Sequence, residues 1–428
     1  MTPGGNTRVG QGAREAMPKG FYFLIGAQFA SGLADNALLI LGIFILTEQG
    51  YAPWWAPFLK FSLNLSYVLL ASVVGSLSDA LPKGRVMARM NALKVAGLVL
   101  MLTGLHPVLA FAVIGLAASV YAPAKYGLVT ETVPPSLLVR ANAWLEVSVV
   151  MSVVLGIALG GALVGWSQAV GGRTPVHQIL SGVFMRTDTW NACAVVGAIY
   201  LAASILNARL KHLSVGQVMV PLRWQALHWR HFWKDNLILW EDRLGGISLY
   251  VTTLYWGVGA VMQFAVLAWA QESLGLPLQQ GAYLQALVAV GVVLGAWLAG
   301  RIFKLHSAKQ ALPWGLSLVI LLPTLAMTTH IALAIPLLLC AGAAGGMLLV
   351  PMNALLQHRG RQVLSSGRSI AVQGFNENLS VLVLLGAYSA MLALQVSLLS
   401  IMFLLALMLL LGMWPMCRIL WRKRSINA

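Results

Sequence analysis

Twelve apolar stretches dominate this sequence, near positions 21–47, 55–78, 87–105, 108–130, 138–165, 189–208, 244–271, 279–303, 311–329, 332–357, 366–394 and 397–420. A bilayer core about 30 Å thick is crossed by roughly 20 helical residues, so each stretch can form one span. Helices satisfy their own backbone hydrogen bonds, which lipid cannot do for them. The pattern predicts an all-α membrane protein with twelve transmembrane helices. Charged residues make up only 9% of the 428, too few to solvate a soluble protein of this size.

The most charged part of the chain, 209–243, divides the stretches into two groups of six. The predicted organisation is a cytoplasmic tail (1–20), a six-helix bundle (21–208), a cytoplasmic linker (209–243), a second bundle (244–420) and a basic tail (421–428). The formal charge of +16 would suggest nucleic acid in a soluble protein. Here the positions of the basic residues argue otherwise. With a cytoplasmic N-terminus, 25 of the 28 Lys and Arg residues fall on the inside, including the group from Lys83 to Lys94, and only Lys60, Arg173 and Arg186 fall outside. This is the positive-inside pattern of a bacterial inner-membrane protein with both ends in the cytoplasm, and it leaves nucleic acid without a role. The first apolar stretch lacks a small-residue cleavage site and reads as a retained span. Cys193, Cys340 and Cys417 match no metal or redox spacing, and no cofactor is expected.

Within the linker, Trp229, Phe232, Trp233, Leu237 and Trp240 share a helical spacing, which predicts an amphipathic helix on the membrane surface. A weak repeat relates the halves. Pro123-Ala-Lys125 and Pro351-Met-Asn353 are each expected to end an even-numbered helix, with Glu146 and Gln373 at matching distances beyond. Gly156, Gly160, Gly161 and Gly165 in span five, and Gly291, Gly295 and Gly300 in span eight, predict close helix crossings, either between the bundles or within each.

Asp35 lies inside span one, where a carboxylate costs at least about 2.5 kcal/mol unless it meets a partner or a wet cavity. It reads as a site for an ammonium headgroup or a coupling cation, or as one member of a structural pair with Asn36 or another helix. Glu377, with Gln373, Asn376 and Asn378, forms a second polar cluster, in span eleven. That cluster either binds substrate or ties span eleven to its neighbours. Lys125 is a candidate for a phosphate contact, or pairs with Glu146 as a charge pair closing an inner gate. His231 and Asp235 lie one residue too close for an acyltransferase pair, and no Ser/His/Asp set or Gly-rich nucleotide loop is present, so an enzyme is not expected.

The loop Gly75-Ser-Leu-Ser-Asp79-Ala-Leu-Pro-Lys83-Gly84-Arg85 resembles the G-x-x-x-D-x-x-G-R loop of the major facilitator superfamily, with one extra residue before the Gly-Arg pair. In it Asp79 can accept hydrogen bonds at a helix end while Lys83 and Arg85 hold the cytoplasmic surface, a latch that breaks as the bundles rock. Three further stretches resemble the bacterial lysophospholipid transporter family over nearly the whole chain. They are Gln28 to Leu38, Tyr121 to Gly127, and Pro351 to Gly360 followed by Ala371 to Asn378.

The resemblance implies a monomeric flippase of the major facilitator fold that works by alternating access. It would move lysophosphatidylethanolamine and related lysolipids to the cytoplasmic leaflet, where an acyltransferase/acyl-carrier-protein synthetase reacylates them. The substrate-binding set is expected to be Gln28, Asp35, Asn36, Lys125, Tyr255, Trp256, Gln263, Asn353, Gln373, Asn376 and Glu377, with Asp79, Lys83, Arg85 and Glu146 at the gate. Family members are expected to carry a basic residue where this chain has Gln263, which leaves the phosphate contact there open. A proton-coupled exporter of amphiphilic drugs is the alternative, since it too needs an apolar cavity and a buried carboxylate.

Overall fold

The computed structural model describes residues 17–51, 55–170, 189–210, 227–276 and 278–424. Most of the expected tail 1–20, the linker positions 211–226 and the last four residues of the basic tail lie outside the described residues. All regular structure among the described residues is helical: α1 (Lys19–Glu48), α2 (Ala56–Leu69), α3 (Ala71–Ala80), α4 (Lys83–Leu102), α5 (Pro107–Thr132), α6 (Leu138–Val170), α7 (Trp190–Ala208), α8 (Trp229–Glu241), α9 (Arg243–Glu272), α10 (Leu278–Ile302), α11 (Leu312–Ala326), α12 (Ile331–Val363), α13 (Ser366–Ala393) and α14 (Leu398–Arg424).

Nine of these helices are long and apolar enough to cross a membrane, and α2 with α3 makes a tenth span that is bent by 68°. The remaining two of the twelve fall short for visible reasons. Helix α4 carries Lys83, Arg85, Arg89 and Lys94, and the described apolar part of α14 is short, Leu398–Trp414. The sequence suggested one unbroken second span. The break at Leu70 follows Ser62 and Ser66, whose hydroxyls bond back to Leu59 O and Ser62 O. Such back-bonding competes with the helical ladder and bends it. Leu116, Leu155, Leu201, Ile205, Leu294, Ile320, Leu333 and Leu404 are exposed, as expected where lipid is the solvent.

Helices α1–α7 and α9–α14 form two halves that repeat the same close pairings. In the first half Gly156 and Gly160 of α6 lie against α1, and Gly115 of α5 against Leu63 of α2. In the second, Gly257 of α9 lies against Ser380 of α13, while Gly291 and Gly295 of α10 interlock with Gly342 and Gly346 of α12. A Cβ on Gly295 would stand 2.1 Å from Ala343 O. The glycine stripes therefore tighten each half internally. Of the glycines singled out in the sequence, Gly300 meets the other half, at Ala143, while Gly161 and Gly165 face open space. Pro123 and Pro351 lie inside α5 and α12 rather than at their ends. Both helices run on to reach the end of the molecule that carries Lys83, Arg85, Arg301, Lys304, Arg359 and Arg361, called the basic end below.

Helix α8 buries Phe232 and Leu239 against Ala71, Leu249, Leu356, Val372 and Phe375, and exposes Trp229, Trp233, Leu237 and Ile238. Its Asp235 pairs with Arg368 of α13. At its C-terminal corner Asp242 caps α9 through Gly245 N at 2.7 Å and pairs with Arg359 at 2.5 Å. The Arg359 guanidinium holds the Asp242 carboxyl below its usual range.

Candidate functional site: a polar cavity between two helical halves

A cavity of about 370 Å³ lies between the halves. Gln28, Asp35, Asn36, Lys60, Asn64, Tyr67, Lys125 and Tyr126 line it from the first half, and Trp256, Asn353, Gln373, Glu377 and Asn378 from the second. Leu39, Leu63, Phe111, Val149, Val153 and Val381 supply apolar wall between them. On α1 the lining residues Gln28, Ser31, Gly32, Asp35, Asn36 and Leu39 recur at helical spacing, so one face of the helix is committed to the cavity.

Asp35 stands midway along α1, and its partner comes from α4. Lys94 Nζ lies 2.7 Å from Asp35 Oδ2, and the Tyr200 hydroxyl donates to Oδ1 at 2.7 Å. The Lys94 side chain is 2% exposed and that of Asp35 25%, so the carboxylate reaches the cavity and the ammonium stands behind it. Lys94 also donates to Ser31 Oγ at 3.0 Å, Ser31 donates to Asn91 at 2.8 Å, and the Tyr121 and Tyr200 rings flank the ammonium at 5.3 and 5.5 Å. Asn36 takes no part in this pair. Its amide donates to Gly32 O of its own helix at 2.8 Å. In the sequence Lys94 counted as one of the basic residues at a loop. It is instead the twelfth residue of α4, about 16 Å along the helix from Lys83.

The repeat places Lys125 of α5 and Asn353 of α12 on opposite sides of the cavity. Gln373 Nε2 donates to Asn353 Oδ1 at 2.9 Å and to Glu377 Oε1 at 2.7 Å, and Thr252 also reaches Glu377. The corresponding pair in the first half does not close. Lys125 Nζ donates to Gln28 Oε1 at 3.1 Å and lies 4.2 Å from the Tyr126 ring, while Glu146 acts on it electrostatically without forming an ion pair.

Three of the sequence candidates lie off the cavity wall. Tyr255 is buried in the second half with its hydroxyl on Gly315 O at 2.5 Å. Asn376 turns toward the linker helix, donating to Asn236 Oδ1 at 2.8 Å and accepting from Trp240 Nε1 at 3.3 Å. Gln263 sits beside the cavity and accepts from Lys60 Nζ at 3.3 Å.

At the basic end the halves are joined. Asp79 accepts from Gly367 N at 2.8 Å, from Arg368 N at 3.3 Å and from the Ser365 hydroxyl, so a first-half carboxylate caps the N-terminus of second-half helix α13. Lys83 is buried beneath it between Asp79 and Glu131, at 3.6 and 2.7 Å, rather than held at the surface. A Cβ on Gly127 would meet the Lys83 side chain at 2.6 Å, which explains how the stem fits there. Arg85 is exposed. Thr130 bonds Ser366 at 3.2 Å, Asn142 and Gln357 exchange two hydrogen bonds of 2.9 Å, and Arg361 donates to Thr130 O.

Residues 24–380 match the Major Facilitator Superfamily model. The lysophospholipid transporter LplT of Pectobacterium carotovorum subsp. carotovorum is 34% identical over 375 residues, covering 87% of each chain. LplT of Serratia proteamaculans is 34% identical over 86% of this chain and 87% of its own. The chain belongs to the lysophospholipid transporter family of the major facilitator superfamily. Solved structures agree on the fold: the human organic anion transporter MFSD10 (TM-score 0.71, 13% identity) and a bacterial homologue of ferroportin in an outward-facing state (TM-score 0.69, 15% identity). Each alignment spans 94% of this chain and all of the solved one. The transporter is thus a multi-pass membrane protein, and its cavity takes in residues that the sequence left unmarked. Tyr67 and Tyr200 carry no signature in the sequence, Tyr121 stood out only as the start of a family-like stretch, and Lys60 only by its place outside; their shared approach to the cavity or its ion pair singles them out.

Proposed function

We propose that this protein carries lysophospholipids, lysophosphatidylethanolamine among them, from the outer to the cytoplasmic leaflet of a bacterial inner membrane by alternating access. The observation behind this reading is the composition of the cavity wall. Charged and amide groups from both halves suit a zwitterionic headgroup, and the apolar stretches between them suit a single acyl chain. Asp35 offers a carboxylate to an ammonium, and the Gln373–Asn353–Glu377 cluster offers hydrogen bonds to a glycerol backbone. The relatives named lysophospholipid transporter support the same substrate class. By the positive-inside rule the basic end faces the cytoplasm, with both termini, and the joined gate then leaves the cavity to be loaded from the outer side. The protein works as a monomer without chemistry of its own, and a cytoplasmic acyltransferase consumes its product.

In vesicles containing the purified protein, labelled lysophosphatidylethanolamine is expected to cross between leaflets faster than in protein-free vesicles, and diacyl lipid far less. Equal rates with and without protein would overturn the substrate assignment. Movement of cationic drugs under a proton gradient, with no movement of lysolipid, would favour the exporter reading instead.

A further inference from the structure

Three lysines stand at the cavity, and their compensation differs. Lys94 is paired with Asp35, and Lys125 has Gln28, the Tyr126 ring and the field of Glu146. Lys60 has none of these. Among the described residues no carboxylate lies within 4.0 Å of it, and its one hydrogen bond goes to the neutral Gln263 across the gap between the halves. Its place is also distinctive. Lys60 lies on the second turn of α2, toward the other end of the same bent span from the Asp79 latch, and Asn64 and Tyr67 follow it at i+4 and i+7 as cavity-lining residues. The stripe leads toward the interior from an exposed ammonium that no carboxylate pairs, with Trp256 on the facing half.

An ammonium beside apolar wall gains most from a partner that brings negative charge, and a phosphate binds it more strongly than an amide oxygen does. We propose that Lys60 is the phosphate-recognising residue of this cavity, and that binding a headgroup phosphate there releases Gln263 and with it the hydrogen bond that joins the halves at this end. Site recognition and the opening of one cross-half tie become the same event: the incoming anion competes with Gln263 for a single ammonium. The proposal rests on the lysophospholipid reading above. It adds the residue that distinguishes a phosphate-bearing amphiphile from a neutral one.

The test uses the full chain in detergent and compares binding of lysophosphatidylethanolamine with binding of a monoacylglycerol of the same acyl chain. The wild type is expected to favour the phosphate-bearing ligand by about tenfold or more, K60R to keep that preference, and K60Q to bring the two within about twofold. Because the two side chains meet at 3.3 Å, the exchange K60Q/Q263K returns a cation to the same place and is expected to restore the preference. A merely structural role for Lys60 would not be rescued this way. Persistence of the preference in K60Q, or its absence in the wild type, would overturn the proposal. Glycerol 3-phosphate and inorganic phosphate form a further arm: wild-type binding of either as tight as that of the lysolipid would reassign the site to free phosphate and overturn the headgroup assignment. Flipping assayed on the same samples separates the two readings. Phosphate preference without flipping sinks the carrier reading alone, and flipping with the preference intact in K60Q sinks this inference alone.

Discussion

At the scale of the residue, the Asp35–Lys94 pair explains how two charges are tolerated inside a membrane protein. Removing one partner of a buried pair leaves an uncompensated charge and costs about 3–5 kcal/mol. The two partners are not equivalent here. Lys94 is almost wholly enclosed, whereas Asp35 reaches the cavity and keeps a Tyr200 hydroxyl. Asp35→Asn is therefore expected to destabilise the protein by roughly that amount and Lys94→Met by less, with the double variant recovering much of the loss. Thermal unfolding of the four proteins in detergent gives the coupling, and strictly additive losses would show that the pair does not matter for stability. Asp35 itself was legible in the sequence because a carboxylate deep in an apolar run is conspicuous. Lys94 was not, since α4 begins with three basic residues at the membrane edge and a fourth looks like more of the same. Only the packing of α4 against α5 and α7, with Lys94 reaching across to Asp35 of α1, shows that it has left the surface.

Among the elements, helix content followed directly from hydropathy, and the pairing of helices followed from glycine only in part. A stripe of small residues says that something approaches closely and not what it is. Gly156 and Gly160 turned out to face α1. Gly161 and Gly165, one residue further round the same helix, face nothing within 4 Å. The difference makes a controlled comparison. Gly295→Val would drive a side chain into the α12 backbone at Ala343, and the α10–α12 contact has little room to open because Gly342 and Gly346 interlock with α10 from the other side. A loss of at least about 2 kcal/mol is expected from overpacking there, whereas Gly161→Val is expected to stay within about 0.5 kcal/mol of the wild type. Melting temperatures of the two variants check this, and equal shifts would refute the assigned packing. The bend at Leu70 was likewise invisible to hydropathy, because Ser62 and Ser66 read as ordinary small polar residues until their hydroxyls are seen bonding back along α2.

For the whole molecule, the same contacts that join the halves at the basic end decide what it can do next. In the proposed alternating access, Asp79 capping α13, Thr130 on Ser366, and the Asn142–Gln357 exchange are the contacts that would part for the cavity to empty on that side. The basic residues suggest an orientation in the sequence, but which end is joined is a property of the packed state and leaves no trace in hydropathy. The geometry offers a way to hold that state. The Thr130 and Ser366 side chains meet across the gate, hydroxyl to hydroxyl at 3.2 Å, which makes them the pair to test for a cross-link between the halves. In a background lacking Cys340 and Cys417, with Cys193 left buried, the pair Thr130→Cys and Ser366→Cys is expected to cross-link on oxidation. The cross-linked protein should still bind lysophosphatidylethanolamine, because the cross-link leaves the cavity-lining Lys60, Asp35 and Trp256 untouched, yet it should not release it at the basic end. Flipping should fall to the protein-free rate and return on reduction. A cross-linked protein that flips lysolipid at the wild-type rate would mean that the two halves need not separate at Thr130 and Ser366, and alternating access through this gate would have to be abandoned.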